Sequence, residues 1–182
     1  MVKIPEILGV ETIARTRLFT VEQLDLKFSN GVRVQFERIR GSAAGAVLIV
    51  PVTDGDQVLM IREYGAGSER YELCLPKGRV EDGEDPLAAA NRELMEEVGY
   101  GARQLRLLKS LTLAPGYLSQ TTHVILARDL YPERLPGDEP EAIEVVPWRL
   151  SRLDELLARD DCTEARSIAA LYMVREILNH DG

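Results

Sequence analysis

The chain has 182 residues, of which 45% are hydrophobic and 29% are charged, and its formal net charge at pH 7 is −8. This composition is typical of a globular domain with its own core and excludes a fibrous or disordered chain. With 22 Lys and Arg against 30 Asp and Glu, nucleic-acid binding is disfavoured, because it depends on basic side chains. We predict no nucleic-acid partner, and an anionic substrate would need local arginines or a bridging cation.

The N-terminus and the cysteines indicate a cellular compartment. The opening residues, MVKIPEILGVET, lack the apolar stretch of a signal peptide, and no segment has the length of a membrane helix. Cys74 and Cys162 show no CxxC spacing, which favours two reduced thiols and leaves a disulfide as the alternative. We therefore expect a cytoplasmic protein with no membrane partner.

The N-terminal residues predict a β-arm. Apolar and polar residues alternate around Asn30-Gly31, the apolar ones being Leu24, Leu26, Phe28, Val32, Val34 and Phe36. Asn30-Gly31 suits a two-residue turn, so the pattern predicts a β-hairpin with one apolar face. An isolated hairpin is marginal in water, and this face must pack on the main domain or on another subunit. A hinge-like stretch follows, which places the arm at residues 1–43 and a second domain at 44–182.

Further strands follow the arm. They are predicted at 46–52, 57–64, 71–75, 104–113, 122–127 and 144–148. Residues 131–144, YPERLPGDEPEAIE, contain three prolines and five acids. This stretch is too polar for a core element and too long for a simple turn, which makes it a candidate functional loop.

Helices are predicted at 86–98, 151–158 and 164–179. Asp85 caps the first helix, Pro86 fits its first position, and Gly99 ends it in the left-handed conformation. Ser151 and Asp154 predict a capping box for the second. The third has an apolar side made of Ile168, Leu171, Tyr172, Val174 and Leu178. Strands and helices together indicate the α+β class.

The first helix carries a cluster of carboxylates. At about 3.6 residues per turn, Glu93, Glu96 and Glu97 fall within an arc of about 100°. Clustered carboxylate oxygens suit a hard cation such as Mg²⁺ or Mn²⁺. With His123 and His180 as the chain's two histidines, a His-rich zinc site is disfavoured.

The alternative for this helix is a solvated acidic face. Like charges weaken a helix, however, and Glu96 and Glu97 lie in its last turn, where the helix dipole disfavours anions. A bound divalent cation would compensate both costs.

The spacing of these residues resembles the Nudix box, GX5EX7REUXEEXGU, in which U is a bulky hydrophobic residue. Gly78, Glu84 and the run Arg92–Gly99 match it, and only Tyr100 replaces the usual aliphatic residue. The resemblance implies the Nudix α/β/α sandwich with a mixed sheet. It also implies hydrolysis of a nucleoside diphosphate linked to another moiety, with Mg²⁺ or Mn²⁺ bound by the box.

The same resemblance assigns roles within the box. It implies Glu93 and Glu97 as the main metal ligands, with Glu96 as a further ligand or a hydrogen-bonding partner. The backbone carbonyl of Lys77 is an additional ligand on this reading. Arg92 is implied to orient the catalytic carboxylates. Glu84 is implied to brace the loop between Gly78 and the first helix.

Outside the box, the chain resembles the ADP-ribose pyrophosphatase branch, including the bacterial ADP compounds hydrolases. The resemblance is carried by VETIARTRLFTVEQLDLKFSNGVRVQFERIR, IREYGAGSERYEL and LYPERLPGDEPE. It implies hydrolysis of ADP-ribose, NADH or diadenosine polyphosphates with release of AMP. Pro115 stands where this family associates a proline with ADP-ribose hydrolysis, and Tyr117 stands near where it associates a tyrosine with diadenosine polyphosphate cleavage. A simple turn role for Pro115 and a packing role for Tyr117 stay open.

The branch also places a glutamate in a loop after the box, as general base or extra metal ligand. Glu139 and Glu141 are the candidates, with Glu141 preferred, and a merely solubilising loop is the alternative. The stretch Arg62-Glu63-Tyr64-Gly65 departs from the usual EQYR, which displaces the arginine expected to grip the diphosphate. Arg62, together with Arg38 or Arg40, is predicted to supply the missing positive charge. Glu72 is also predicted to contact the substrate.

The arm resembles N-terminal sheets that related enzymes exchange between subunits, which implies a homodimer. Two other functions belong to the same fold. A nucleotide-binding sensor would be expected to lose box glutamates or to carry an extra domain, and an isomerase would be expected to use a cysteine in a distinct context. The sequence shows none of these features.

Overall fold

Strands dominate the fold of a computed structural model that describes residues 3–54 and 56–181. The strands of this part are β1 (Glu6–Arg15), β2 (Thr20–Lys27), β3 (Arg33–Arg40), β4 (Ala46–Pro51), β5 (Gln57–Gly65), β6 (Arg70–Cys74), β7 (Lys77–Arg79), β8 (Tyr100–Thr112), β9 (Leu118–Ser119), β10 (Thr121–Pro132) and β11 (Glu144–Arg149). The helical segments are α1 (Pro86–Glu93), a π-helix (Leu94–Val98), a 3-10 helix (Leu150–Arg152), α2 (Leu153–Leu157) and α3 (Ala165–Asp181). The predicted α+β class is confirmed.

The chain divides into two compact units, each of which makes most of its residue contacts within itself. The first contains the chain up to Gly45 together with Thr112–Thr121, and the second contains Ala46–Leu111 and the chain from Thr122 onward. The break after Gly45 lies close to the predicted boundary at residue 43. Nothing in the sequence indicated that Thr112–Thr121 belongs with the arm.

The first unit is a sheet in the order β1-β2-β3-β9, in which β1, β2 and β3 are antiparallel and β9 runs parallel to β3. The predicted hairpin is therefore present as β2 and β3, but β1 was missed. Two register shifts in β1, one between Ile7 and Gly9 and one between Thr12 and Ala14, explain the omission. A bulge breaks the two-residue alternation by which a strand is recognised in a sequence.

The predicted two-residue turn of the hairpin is wrong. The amide of Phe28 donates to the carbonyl of Val32, and the amide of Gly31 donates to the carbonyl of Phe28, both at 2.9 Å. Of the two turn residues expected to be left-handed, only Gly31 is, with φ of 86°. The loop is therefore of the three-residue kind that ends in a left-handed glycine.

The second unit holds a mixed sheet in the order β7-β4-β10-β8 and an antiparallel sheet in the order β11-β5-β6. β4 pairs with β10 in parallel and with β7 antiparallel, and every residue of β4 is buried. The strand predictions in this unit are confirmed, with ends that shift by a few residues.

Helices pack on both faces of β4. Leu48 and Val50 belong to the core cluster that contains Leu171 and Val174 of α3. The alternate residues of β4 point to the opposite face, where α1 packs against β4 and β7. This arrangement is the predicted α/β/α sandwich, and it holds α1 against a buried strand.

The helix ends confirm one cap prediction and overturn another. The side chain of Asp85 accepts hydrogen bonds from the amides at the start of α1, and Gly99 is left-handed with φ of 83°. Ser151 and Asp154 form no capping box, because the amide of Ser151 donates to Asp56 Oδ2 and Asp154 accepts from Arg175.

The third helix keeps its predicted apolar side except at Tyr172, which is exposed rather than turned inward. Both cysteines are free and buried. No helix among the described residues is long and apolar enough to cross a membrane.

Candidate active site

The acidic helix ends in a π-turn. Glu93 is the last residue of α1, and Glu96 and Glu97 lie in the π-helix, where the amide of Gly99 donates to the carbonyl of Leu94 at 3.1 Å. Leu94 is fully buried and anchors this turn. Single π-turns inside helices are frequent at functional sites. The sequence predicted the helix but not this change of pitch.

Glu97 is a buried carboxylate that faces the cluster. Glu97 is only 5% exposed, and its Oε2 accepts a hydrogen bond from the backbone amide of Lys77 at 3.0 Å. Burial raises the pKa of Glu97 to about 8, with Lys77 opposing the rise and Glu63 and Glu93 adding to it. Burial likewise raises the pKa of Glu93. The surroundings of Glu93 and Glu97 therefore disfavour the charged forms of both carboxyls.

Arg92 joins the acids predicted for the box. Its Nη1 donates to Glu93 Oε1 at 2.7 Å and to Glu96 Oε2 at 3.1 Å. Its Nε and Nη2 donate to the two carboxylate oxygens of Glu84, each at 3.0 Å. Glu84 Oε2 also accepts the amide of Glu81 at 3.0 Å. The structure thus links the loop that holds Glu81 and Glu84, the side chain of Arg92, and two of the three clustered glutamates in one network.

Gly78 lies directly beneath the carboxylate of Glu93. A Cβ at Gly78 would overlap the carboxylate carbon and both carboxylate oxygens of Glu93. The glycine is therefore required by space in the site and not by a left-handed backbone.

Gly78→Ala is expected to lower kcat by about tenfold or more, because the added methyl displaces the Glu93 carboxylate. The free energy of unfolding should change by only about 0.5 kcal/mol, since the clash involves the far end of a flexible side chain. Steady-state kinetics and thermal unfolding measure the two quantities. Gly67→Ala is the matched control, because nothing lies within 4 Å of a Cβ at Gly67. Equal kcat in both variants would contradict the role given to this contact.

A cavity of about 350 Å³ opens beside the cluster. One wall consists of Glu93, Glu96 and Glu97, and the other of residues from the predicted loop, namely Arg134, Gly137, Asp138, Glu139, Pro140, Glu141, Ala142 and Ile143. Among the described residues that line it, Arg134 is the only basic one. The loop predicted as a candidate functional segment therefore lines the same cavity as the acidic helix.

The two candidate loop glutamates differ in their surroundings. Burial, with the charges of Glu63 and Asp138, raises the pKa of Glu139. Glu141 Oε1 instead accepts a hydrogen bond of 2.5 Å from the hydroxyl of Tyr71. Both glutamates line the cavity, so their assignment as base or ligand stays a prediction.

The start of the loop is tied to the π-turn by backbone and side-chain bonds. The amide of Leu135 donates to the carbonyl of Met95, a residue of the π-turn, at 3.2 Å. Arg134 Nη2 donates to the carbonyl of Val98 at 3.3 Å. A Cβ at Gly99 would lie 2.7 Å from Arg134 Nη2, so Gly99 also clears room for this arginine.

Glu63 and the ammonium of Lys77 were not predicted in the site. They form an ion pair next to Glu97, and Lys77 Nζ lies 3.5 Å from Cys74 Sγ. The sequence suggested only the carbonyl of Lys77. The pair joins β5 to β7, and no local pattern signals such a contact between strands that are not hydrogen-bonded neighbours.

Arg62 and Glu72, two of the predicted binding residues, both pair with other side chains of this chain. Arg62 donates to Glu144 at 2.9 Å and to Asp161 at 2.7 Å. Glu72 accepts from Arg70 at 2.7 Å and from a threonine hydroxyl. In the described part of the chain the cavity lining includes neither residue. Both charges are matched by nearby partners, and the tetrapeptide Arg62-Glu63-Tyr64-Gly65 did not reveal the partners of Arg62. Substrate contact by either residue stays a prediction.

The other predicted binding residues gather in the first unit. Arg38 and Arg40 both pair with the buried carboxylate of Glu22, at 2.8 Å and 3.3 Å. Pro115 and Tyr117 lie in Thr112–Thr121, and the carbonyl of Tyr117 accepts the amide of Ile39 at 2.7 Å. The Tyr117 side chain is 60% exposed. Residues predicted from distant parts of the sequence thus share one unit.

The donor set around the cavity fits a hard divalent cation. The available groups are carboxylate and carbonyl oxygens, which suit Mg²⁺ or Mn²⁺. Within residues 3–54 and 56–181, no three Asp, Glu, His or Cys side chains form a preformed group that could hold a metal ion. Mg²⁺ does not require one, because it commonly keeps several waters and takes further oxygens from substrate phosphates.

Comparisons with known proteins add independent observations. The model of the NUDIX domain matches residues 43–172, and the model of the NudE-type Nudix hydrolase N-terminal domain matches residues 5–38. The chain is 52% identical over 178 residues to ADP compounds hydrolase NudE of Escherichia coli (strain K12), covering 98% of this chain and 95% of that protein.

A second relative and a solved structure agree with the first. The ADP-ribose pyrophosphatase of Bacillus subtilis (strain 168) is 30% identical over 172 residues, covering 91% of this chain and 92% of that protein. A crystal structure of ADP compounds hydrolase has a TM-score of 0.93 and 51% identity, covering 100% of this chain and 98% of that chain. Sequence, fold and site geometry agree, and the chain belongs to the Nudix hydrolase family.

Proposed function

We propose that the protein hydrolyses the pyrophosphate bond of ADP-linked compounds, such as ADP-ribose, NADH and diadenosine polyphosphates, and releases AMP. The observation that carries this proposal is the cavity whose two walls are the acidic helix and the acidic loop. Such a cavity repels a diphosphate unless cations are bound, which is the requirement of metal-dependent phosphoryl chemistry. The relatives named as ADP compounds hydrolase and ADP-ribose pyrophosphatase support the substrate class.

Nudix hydrolases generally use divalent metal ions, and we propose Mg²⁺ or Mn²⁺ here. Glu93 and Glu97 would hold the cation, with Glu96 and the carbonyl of Lys77 as further oxygen donors. When bound, it supplies neutralisation of the phosphate oxygens and a lower pKa for a coordinated water. Arg92 keeps two of these carboxylates in place through its bonds of 2.7 Å and 3.1 Å.

The chain itself supplies the proton acceptor. Glu141, or alternatively Glu139, takes a proton from the attacking water while the oxygen of that water forms a bond to phosphorus. The bridging phosphorus–oxygen bond breaks, and the products are AMP and the other phosphorylated half. Both glutamates line the same cavity as Glu93 and Glu97, which supports a proton acceptor near the proposed cation site.

We further propose a homodimer, in which the arm contributes to nucleotide binding through Arg38, Arg40, Pro115 and Tyr117. The support is that these residues belong to one unit and that this unit exposes large apolar side chains.

A reducing, cytoplasmic location is proposed on the two free, buried thiols. A catalytically weak nucleotide sensor is the competing function.

A substrate panel tests the proposal. The purified protein is incubated with ADP-ribose, NADH, diadenosine triphosphate or GDP-mannose, each with Mg²⁺, Mn²⁺ or a chelator, and nucleotide release is followed. We expect AMP from at least one ADP-linked compound, and none in chelator. Reaction in ¹⁸O-labelled water locates the phosphorus attacked. Tight nucleotide binding without turnover under all conditions would instead favour the sensor.

A further inference from the structure

The hydroxyl of Tyr71 donates to Glu141 Oε1 at 2.5 Å, and this contact reaches from a sheet to the acidic loop. Tyr71 lies in β6, a strand with a full register of pairs to β5, while Glu141 lies between β10 and β11. A site built on a strand is held more tightly than one on a loop. The bond therefore holds a loop carboxylate at a fixed position relative to a rigid strand.

The ring of Tyr71 is itself restrained. Tyr64 is its directly opposite residue on β5, and the two rings meet edge to face with centroids 5.6 Å apart and planes at 68°. Aromatic pairs in this geometry are favourable beyond the area that they bury. The phenol oxygen thus has a fixed place although the side chain is about half exposed.

The loop is then attached at both of its ends. Near its start, Leu135 and Arg134 bond to carbonyls of the π-turn. Near its end, Tyr71 holds Glu141. Because the phenol uses one carboxylate oxygen, the other oxygen is available to accept a proton. Catalytic bases are typically oriented by a third group in this way.

We propose that Tyr71 is a positioning residue that orients Glu141 as the general base, in preference to Glu139. This inference rests on the proposed hydrolysis. It assigns Tyr71 no contact with the substrate, so the hydroxyl acts only through the carboxylate that it holds. The expected signature is a loss in kcat rather than in KM.

A double-mutant cycle tests this coupling with Tyr71→Phe, Glu141→Gln and the variant that carries both. Tyr71→Phe keeps the ring and its packing on Tyr64 but deletes the hydroxyl. We expect it to lower kcat about tenfold, and Glu141→Gln to lower kcat about 100-fold, with KM changed less than about threefold. In the Glu141→Gln background, Tyr71→Phe should have no further effect, because coupled residues are not additive.

Tyr64→Phe is the matched control, since it deletes the neighbouring hydroxyl of the same aromatic pair and should leave kcat unchanged. A second readout is amide hydrogen exchange of residues 138–142 in metal-free protein, which Tyr71→Phe should accelerate and Tyr64→Phe should not. This readout does not depend on turnover. If the wild-type protein hydrolyses nothing, the proposed function fails, and exchange alone still decides whether Tyr71 holds the loop.

Four results would overturn the inference. Wild-type kcat in Tyr71→Phe would show that the hydroxyl is not needed. An equal loss in the Tyr64→Phe control would assign the effect to packing. A full loss from Tyr71→Phe on top of Glu141→Gln, or an active Glu141→Gln beside an inactive Glu139→Gln, would show that Glu141 is not the group through which Tyr71 acts.

Discussion

Glu97→Gln is expected to lower kcat by about 10²- to 10³-fold, the size found when a preorganised electrostatic partner is removed. Glutamine has the same shape as glutamate and can keep the hydrogen bond from the amide of Lys77, which is 3.0 Å long in the structure. It has no charge with which to bind a divalent cation. Metal-saturated kinetics on the best substrate of the panel measure the loss.

The control for this variant is Glu81→Gln. Glu81 is an exposed acid of the same motif, and its contribution to the network comes from its backbone amide. It should retain kcat within about twofold, as surface substitutions usually do. An active Glu97→Gln protein would exclude Glu97 as a metal ligand and would remove the main support for the proposed site.

The same variant has a second expected effect, on stability in metal-free buffer. Burial raises the pKa of Glu97 to about 8, whereas the carboxyl of an unfolded chain titrates near about 4.3. Between these values the native state binds more protons than the unfolded state, so stability falls as pH rises. The melting temperature of the wild type in chelator should therefore drop from pH 5 to about pH 8.5.

Glu97→Gln removes this titration. Its melting temperature should change less over the same range and exceed that of the wild type at high pH, by the equivalent of a few kcal/mol at most. Added Mg²⁺ or Mn²⁺ should raise the melting temperature of the wild type, because a ligand that binds only the native state stabilises it. It should leave the variant nearly unchanged. Parallel curves for both proteins would contradict the buried charge assigned to Glu97.

The box helix shows what the sequence could predict. Asp85 and Gly99 define its ends through local chemistry, and the spacing of Glu93, Glu96 and Glu97 places three acids on one side. These features depend on residues a few positions apart, which a sequence displays directly. The helix prediction is therefore confirmed, although the π-turn that re-aims its last residues was not foreseen.

The rest of the site depends on contacts between distant segments. Tyr71 and Arg134 meet the loop and the helix only because the sheets bring them there. The tetrapeptide that suggested Arg62 for substrate binding could not show that Asp161 already pairs with it. The local motif predicted the clustered acids together with Arg92, which contacts two of them. Contacts between distant segments, such as those of Tyr71 and Arg134, were missed.

Removal of residues 1–40 is expected to give a monomeric or poorly stable protein with weak substrate affinity. β3 pairs with β9 at Ile39 and Leu118, so the truncation leaves Thr112–Thr121 without its neighbouring strand. It also removes a sheet face whose apolar residues are partly exposed, namely Ile7 at 55%, Val10 at 50%, Val34 at 37% and Phe36 at 45%. Contiguous exposed apolar residues mark interaction surfaces, and a second copy of the chain is the proposed occupant.

A point variant separates loss of the dimer from loss of the fold. Val34 and Phe36 lie opposite Leu26 and Leu24 in the β2–β3 register, on the same face. Replacing both by Glu keeps every strand pairing of the arm but makes the face repel its copy. We expect this protein to sediment as a monomer and to lose kcat/KM mainly through KM, while unfolding as one cooperative transition. If it remains a dimer, the face is not the interface, and if it is a fully active monomer, the arm contributes nothing to nucleotide binding across subunits.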